Sequence, residues 1–250
     1  MIFKEFLILC NRMYYNTRKN MAGTLEKMNT TTLDRIQKKR IQMGGDMKLI
    51  KRNPLANFEI IHYSEEVSTE SKGKKGLVFR FIYKGNDTIY DTSGKTVKEV
   101  PSPYASGYYI GEILLHTSYP SKAGDIRMLT PNGRFEAGNK ICMDNTAFHQ
   151  GDLYAGSKAG WNISSILTGF ESIWLDDKEC GIAHITPAQH SSRGIGGAPI
   201  SNLKKFRTEC AKNSVQYNAT HLAHYFKKFS KYAKEYSSRL PSDFKLEIDE

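Results

Sequence analysis

Leu129-Thr130-Pro131-Asn132-Gly133-Arg134-Phe135-Glu136-Ala137-Gly138-Asn139-Lys140-Ile141-Cys142 is the stretch around which the rest of the chain is organised. It leaves a short apolar run, Ile126 to Leu129, and passes Pro131, Gly133 and Gly138, residues that end a strand and keep regular structure from resuming. Cys142 is therefore expected on a loop. Asn132 carries an amide with two hydrogens, able to serve a developing oxyanion or to tie the turn to itself. Most cysteines outside disulfides are small packing residues, so the loop alone leaves both readings open.

Upstream of this stretch, apolar alternation predicts strands. Phe58 to Tyr63 reads as the first, Leu77 to Tyr83 as the second with apolar residues around Arg80, Tyr108 to His116 as the third and Ile126 to Leu129 as the fourth. Polar turns join the first to the second and the third to the fourth, which makes an antiparallel meander with one face to cover. Asn86 to Val100, polar and charged, reads as a surface insertion.

Helices are expected to supply the cover. Trp161, Ile163, Ile166, Leu167, Phe170, Ile173 and Trp174 recur at helical spacing. From Leu203 onward Phe206, Cys210, Val215, Tyr217, Leu222, Tyr225, Phe226 and Phe229 predict one broken helix or two, ending near Pro241. At the other end, Thr31 and Asp34 make a capping-box-like start for a helix through Leu33, Ile36, Lys39 and Arg40. Each of Gly44 and Gly45 costs about 1 kcal/mol inside a helix, so this helix either continues towards Pro54 or kinks and splits in two. Residues 186–200 predict a loop; no strand leads into Gly194-x-Gly196-Gly197, which argues against a nucleotide loop. The fold class is α+β, a four-stranded antiparallel meander sheet with an N-terminal helix and C-terminal helices packed on it. Residues 1–30 read as an extension, 31–236 as the core domain with insertions near 42–48, 86–100 and 150–160, and 237–250 as a tail.

A chain of 250 residues suffices for one sizeable domain with additions. Cys10, Cys142, Cys180 and Cys210 lie far apart with no Cys-x-x-Cys pair, so neither a metal site nor a disulfide framework is indicated. A reducing, cytoplasmic setting is expected. The formal net charge of +10 draws a protein towards acidic partners; an adaptor of acidic protein surfaces meets that description as well as a nucleic-acid binder, and nucleic acid is not the expected partner. No run of about 18 apolar residues is present, so no membrane span is expected. Phe6 to Cys10 is too short for a secretory signal and is followed by Arg12 rather than a small-residue cleavage site.

Ordered blocks around the cysteine carry a family resemblance. Thr130-Pro131-Asn132 with Gly133-Arg134-Phe135, Ser102-Pro103-Tyr104 with Gly107, Ile113 to Tyr119-Pro120, Phe148-His149, and Trp161-Asn162-Ile163-Ser164-Ser165-Ile166-Leu167-Thr168-Gly169 together resemble the ubiquitin-conjugating enzymes. The branch they resemble is the one that serves endoplasmic-reticulum-associated degradation. Most of the superfamily reads His-Pro-Asn where this chain has Thr130-Pro131-Asn132, and the branch's known members carry a C-terminal anchor that is not written here.

The resemblance, which runs from about residue 33 to about 218, implies the UBC fold and a transferase that needs no cofactor and no metal. Cys142 would accept ubiquitin as a thioester from the ubiquitin-activating enzyme and pass it to a ligase or to a substrate nucleophile, a lysine or a serine or threonine hydroxyl. Asn132 is then the oxyanion donor and His149 a catalytic candidate on the rim. Arg35, Lys38, Lys39 and Arg40 offer a basic face to the activating enzyme, and Pro120, Ser121 and Asn162 face ubiquitin ligases. Ser121 departs from the phenylalanine that many members place there. The implied partners are ubiquitin, the activating enzyme, ligases and protein substrates. A non-catalytic ubiquitin-binding scaffold and a cysteine hydrolase using His149 or His184 are the alternatives.

Overall fold

The computed structural model describes residues 45–67, 75–92, 95–115, 124–143, 146, 162–176, 183–185 and 202–247. Residues 45–52 are helical (α1), and the chain divides after Lys48 into two compact units, the second of which, from Leu49, holds the sheet. The expected helix start at Thr31, with Arg35, Lys38, Lys39 and Arg40, lies outside the described residues, as do Pro120, Ser121, His149 and Trp161.

Four strands form the main sheet: β1 (Phe58–Val67), β2 (Lys75–Lys84), β5 (Tyr108–Leu115) and β6 (Asp125–Met128), in the order β1-β2-β5-β6, every pair antiparallel. The expected meander is present. The first two strands are longer than their apolar alternation, because backbone pairing continues through Glu65↔Leu77 and Glu66↔Gly76 without needing apolar side chains. Between β2 and β5 the expected insertion is a ribbon of β3 (Thr88–Asp91) and β4 (Lys98–Pro101). Ile89 points inward and is buried, while Tyr90 and Val97 are exposed. So few inward residues leave no period for a sequence reading to find.

Successive residues of a strand face opposite sides of its sheet, and here the two sides differ in chemistry. Phe79, Phe81 and Tyr83 of β2 lie across from Ile113, Gly111 and Tyr109 of β5. This face is covered by α2 (Ile163–Leu175), whose buried Ile163, Ile166, Leu167, Phe170 and Trp174 recur at helical spacing. The Trp174 ring stands 5.0 to 5.4 Å from the rings of Tyr83, Tyr104, Tyr109, Phe135 and Phe170. Asn162 starts α2 through a reciprocal capping box with Ser165, and Asp176 ends it in extended backbone, its carboxylate accepting from Thr92 Oγ1 at 2.8 Å.

The opposite face is covered as well. Ile82, Tyr108 and Ile110 pack with Val215 and Ala219 of α3 (Leu203–His221), Phe226 of α4 (Ala223–Phe226), and Phe229, Tyr232 and Tyr236, the last in α5 (Ala233–Tyr236). The expected apolar stripe of α3 included Phe206 and Tyr217; both are half-buried, and the buried stripe is Arg207, Cys210, Ala211, Ser214, Val215, Asn218 and Ala219. Small side chains let the helix approach β5, and the polar ones reach fixed partners described below. Residues beyond Tyr236 continue the packing: Arg239 donates to the carbonyls of Ser106, Ala211 and Lys212, and Phe244 stacks on Phe226 at 5.5 Å.

The first strand and the C-terminal segment are tied reciprocally. The Glu59 carboxylate accepts the backbone N–H groups of Ser230 and Lys231 at 3.0 and 2.8 Å. Lys231 Nζ donates to the carbonyls of Leu55, Ala56 and Phe58 at 3.1, 2.8 and 2.9 Å.

Glu235 fastens α5 to the sheet, accepting from Tyr108 Oη at 2.9 Å and pairing with Lys84 Nζ at 2.5 Å. The Lys84 bond holds its carboxyl below the usual carboxylate range. A folded-state value below the unfolded one stabilises the fold above the unfolded pKa, and the gain is lost as pH falls through the folded value. Glu235→Gln is therefore expected to lower the urea midpoint at pH 7, with the difference closing below about pH 4. The pair is well exposed, so the effect stays below about 1 kcal/mol; equal midpoint losses at pH 7 and pH 3.5 would contradict this. Among the described residues no helix is long and apolar enough to cross a membrane.

Candidate active site

The loop from Leu129 to Met143 begins where β6 ends, and its root is set by backbone. Leu129 and Thr130 both donate N–H to the Ile110 carbonyl, at 2.8 and 3.1 Å. The Thr130 hydroxyl accepts the Ile110 N–H at 2.9 Å and donates to Asn218 Oδ1 at 2.5 Å. Thr130 is itself buried, and its hydroxyl is engaged both as donor and as acceptor.

Asn132 is buried and shapes the turn with its own amide, an Asx arrangement. Its Oδ1 accepts the N–H groups of Arg134 and Phe135 at 2.9 and 2.8 Å, and Nδ2 donates to the Thr130 carbonyl at 3.0 Å. Gly133 between them has φ +74° and lies against α3, with its carbonyl accepting from Arg207 Nε at 3.2 Å.

Arg134 is one of the largest buried side chains, and its Nη2 donates to the Ile173 carbonyl at 2.8 Å near the end of α2. Phe135 pairs with a short strap, residues 183–185: Glu136 donates N–H to the Ala183 carbonyl and Ile185 donates to the Arg134 carbonyl, both at 2.8 Å. His184 is buried on that strap with its ring 4.8 Å from the Phe135 ring. Its place is in the core rather than on an open rim.

The loop then turns back at Gly138, whose N–H donates to the Met128 carbonyl at 2.7 Å. Lys140 runs beside Arg127 and salt-bridges Asp125 at 2.7 Å, and Ile141 donates to the Ile126 carbonyl at 2.9 Å. In the segment that follows burial alternates: Ile141 and Met143 are buried, while Cys142 between them is half-buried. The thiol is thus presented at the edge of the sheet by two anchored neighbours. Thr146 closes this segment, its N–H and its hydroxyl both donating to the Met143 carbonyl. Cys210, by contrast, is buried on α3, where burial and then Glu209 push its thiol up to about 12; it stays protonated at neutral pH and unreactive.

A set of charged side chains backs the site. Glu112 is buried between Arg80 and Arg127, accepting from Arg127 Nε at 2.5 Å with Arg80 Nη2 at 3.6 Å, and the Arg80 guanidinium lies over the Tyr225 ring at 3.9 Å. Arg127 is the residue opposite Lys140, so this charged set braces the strand on which the Cys142 segment rests. Asn162, expected to face a ligase, has its side-chain oxygen committed to the Ser165 N–H at the start of α2. Sequence reasoning missed Arg134, Arg207 and Asn218, whose roles depend on partners far along the chain.

No protein-family model matches the chain. Curated proteins do. It is 33% identical over 138 residues to a probable ubiquitin-conjugating enzyme E2 33 of Arabidopsis thaliana, covering 55% of this chain and 48% of the relative. It is 37% identical over 75 residues to the ubiquitin-conjugating enzyme E2 J2 of Homo sapiens, covering 30% of this chain and 27% of the relative. Over these stretches the chain is similar to ubiquitin-conjugating enzymes. A ubiquitin-conjugating enzyme E2 J2-like protein of Dictyostelium discoideum is 30% identical over 109 residues, with 44% of this chain and 61% of the relative covered. The chain spans about half the length of the Arabidopsis relative. The four-stranded antiparallel sheet and its helices are those of the UBC fold expected from the sequence.

Proposed function

We propose that the chain is a ubiquitin-conjugating transferase with Cys142 as its acceptor. The observation that carries this is the half-buried Cys142 held between buried Ile141 and Met143, on a loop pinned at its root, its turn and its return. Cys142 Sγ attacks the thioester carbonyl that joins the C-terminal glycine of ubiquitin to the activating enzyme. The activating enzyme's thiolate leaves and a new thioester forms. A substrate nucleophile, or a ligase cysteine, then attacks that carbonyl, passing through an oxyanion for which the Asn132 amide is the candidate donor, and Cys142 leaves as thiolate. No cofactor is consumed in either exchange.

Arg35, Lys38, Lys39 and Arg40 are proposed to meet the activating enzyme, and Pro120, Ser121 and Asn162 to lie on the ligase side, with Asn162 acting through the start of α2. The setting proposed is the cytoplasm. Incubation of the purified chain with activating enzyme, ATP and ubiquitin is expected to give an adduct that thiol reductants cleave. A chain that binds ubiquitin without forming it would be the scaffold instead. The hydrolase reading is disfavoured for His184, whose ring is buried against Phe135.

For the nucleophile, hydroxyls are proposed beside lysine, since the sequence offers no carboxylate from Cys180 to His184 to orient an ammonium and a histidine suits base catalysis near neutrality. The burial of His184 leaves His149 as the base. Discharge onto free serine or threonine is expected at least as fast as onto lysine, giving a product that hydroxylamine cleaves and that His149→Ala slows. Strong lysine preference with a hydroxylamine-resistant product would refute it.

A further inference from the structure

Helix α3 buries three polar side chains, Arg207, Ser214 and Asn218, on the stripe with which it packs. Burying an amide is costly unless its hydrogen bonds are replaced, and a leucine between Val215 and Ala219 would carry no such cost. The partners explain the choice. Asn218 Nδ2 donates to the Tyr108 carbonyl at 2.8 Å, and Asn218 Oδ1 accepts from the Thr130 hydroxyl at 2.5 Å. The Thr130 carbonyl in turn holds Asn132 Nδ2. One turn earlier Ser214 Oγ accepts the Tyr108 N–H at 2.9 Å, and two turns before that Arg207 Nε reaches the Gly133 carbonyl. One helix therefore grips the turn on both sides of Asn132, at Thr130 and at Gly133. Apolar contacts would tolerate sliding, whereas satisfied buried hydrogen bonds fix one register.

We infer that Asn218 is a positioning residue for the loop that bears Asn132 and Cys142, acting through the Thr130 hydroxyl; this rests on the reading of Cys142 as the ubiquitin acceptor. Asn218 makes no demand on the reacting atoms, so its effect belongs in the rate of transfer from the loaded enzyme and not in the capture of the nucleophile. Thr130 and Asn218 form one device, and removing either member breaks it.

The experiment compares Thr130→Val, Thr130→Ser, Asn218→Leu and the Thr130→Val/Asn218→Leu pair in the full chain. Each is loaded with ubiquitin and discharged in a single turnover over a range of nucleophile concentrations, and urea midpoints are measured alongside. Thr130→Val and Asn218→Leu are expected to lower the maximal discharge rate about tenfold, inside the 10²-fold that a 1 Å misplacement can cost. Half-saturating nucleophile stays unchanged. The pair is no slower than its slower member, because groups acting as one unit are not additive, and Thr130→Ser, which keeps the hydroxyl, discharges within about twofold of wild type. Multiplying losses in the pair, a serine variant as slow as the valine one, or lowered urea midpoints with unchanged maximal rates would each overturn the inference. A wild-type chain that accepts no ubiquitin refutes the transferase reading instead. Positioning is then read from the iodoacetamide alkylation rate of the Cys142 peptide: a rate altered by Asn218→Leu supports it and an unaltered rate overturns it.

Discussion

Cys142→Ala is expected to abolish the reductant-sensitive ubiquitin adduct completely, while Cys142→Ser converts it into an adduct that survives reductant. A thioester is an activated acyl group that a thiol exchanges readily, and an oxyester in the same place is less activated, so the serine variant loads slowly and discharges more slowly still. Cys210→Ala should load like wild type, because that thiol is buried and pushed up to about 12 and so offers no thiolate near neutrality. The check is gel mobility of the adduct with and without reductant for Cys142→Ala, Cys142→Ser, Cys180→Ala and Cys210→Ala. An adduct that persists in Cys142→Ala and disappears in Cys180→Ala would move the acceptor to another cysteine.

The second large effect concerns two glycines of the same loop that look alike in sequence. Both have positive φ, +74° at Gly133 and +83° at Gly138, so an alanine at either carries the left-handed penalty of about 1–2 kcal/mol. Their surroundings differ. A Cβ on Gly138 would meet nothing within 4 Å, whereas on Gly133 it would stand 2.9 Å from Arg207 Cγ, 3.0 Å from Arg207 Cα and 3.1 Å from Phe206 Cδ1. The Cα cannot step aside without moving α3. Overpacking of that kind adds about 1–3 kcal/mol. Gly133→Ala is therefore expected to lose about 2–5 kcal/mol in urea unfolding, the sum of those ranges. Gly138→Ala should lose no more than the backbone penalty, and equal losses at the two sites would show that α3 gives way.

The sheet was legible because its strands alternate large apolar residues, and α2 because Ile163 to Trp174 repeat at helical spacing. What escaped the reading is polar and buried. Arg80, Glu112, Arg134 and Arg207 are residue types that normally stay at the surface, and they are inside because each meets a partner that the local sequence does not contain. Arg134 bonds a carbonyl 39 residues away and Arg207 one 74 residues away. The same holds for Asn218, 88 residues from Thr130. Of the site, the loop and the stretch containing Cys142 and Asn132 could be read from Pro131, Gly133 and Gly138. The use of the Asn132 amide to fold its own turn is evident only in the folded structure, since an asparagine in a turn serves several geometries. Asn162 carried a local signal in Ser165 three residues on, the spacing of a capping pair.

The reciprocal tie between Glu59 and residues 230 and 231 joins groups 171 and 172 positions apart. A ribosome delivers the chain from one end at about 5–20 residues per second, so β1, β2 and β5 emerge while their closing partner is still unsynthesised. Until Val215, Phe226 and Tyr236 arrive, Ile82 and Ile110 have no cover on their side of the sheet. The nascent chain thus shows a bare apolar surface for the seconds needed to make its last helices, and holdase chaperones would meet it in that interval.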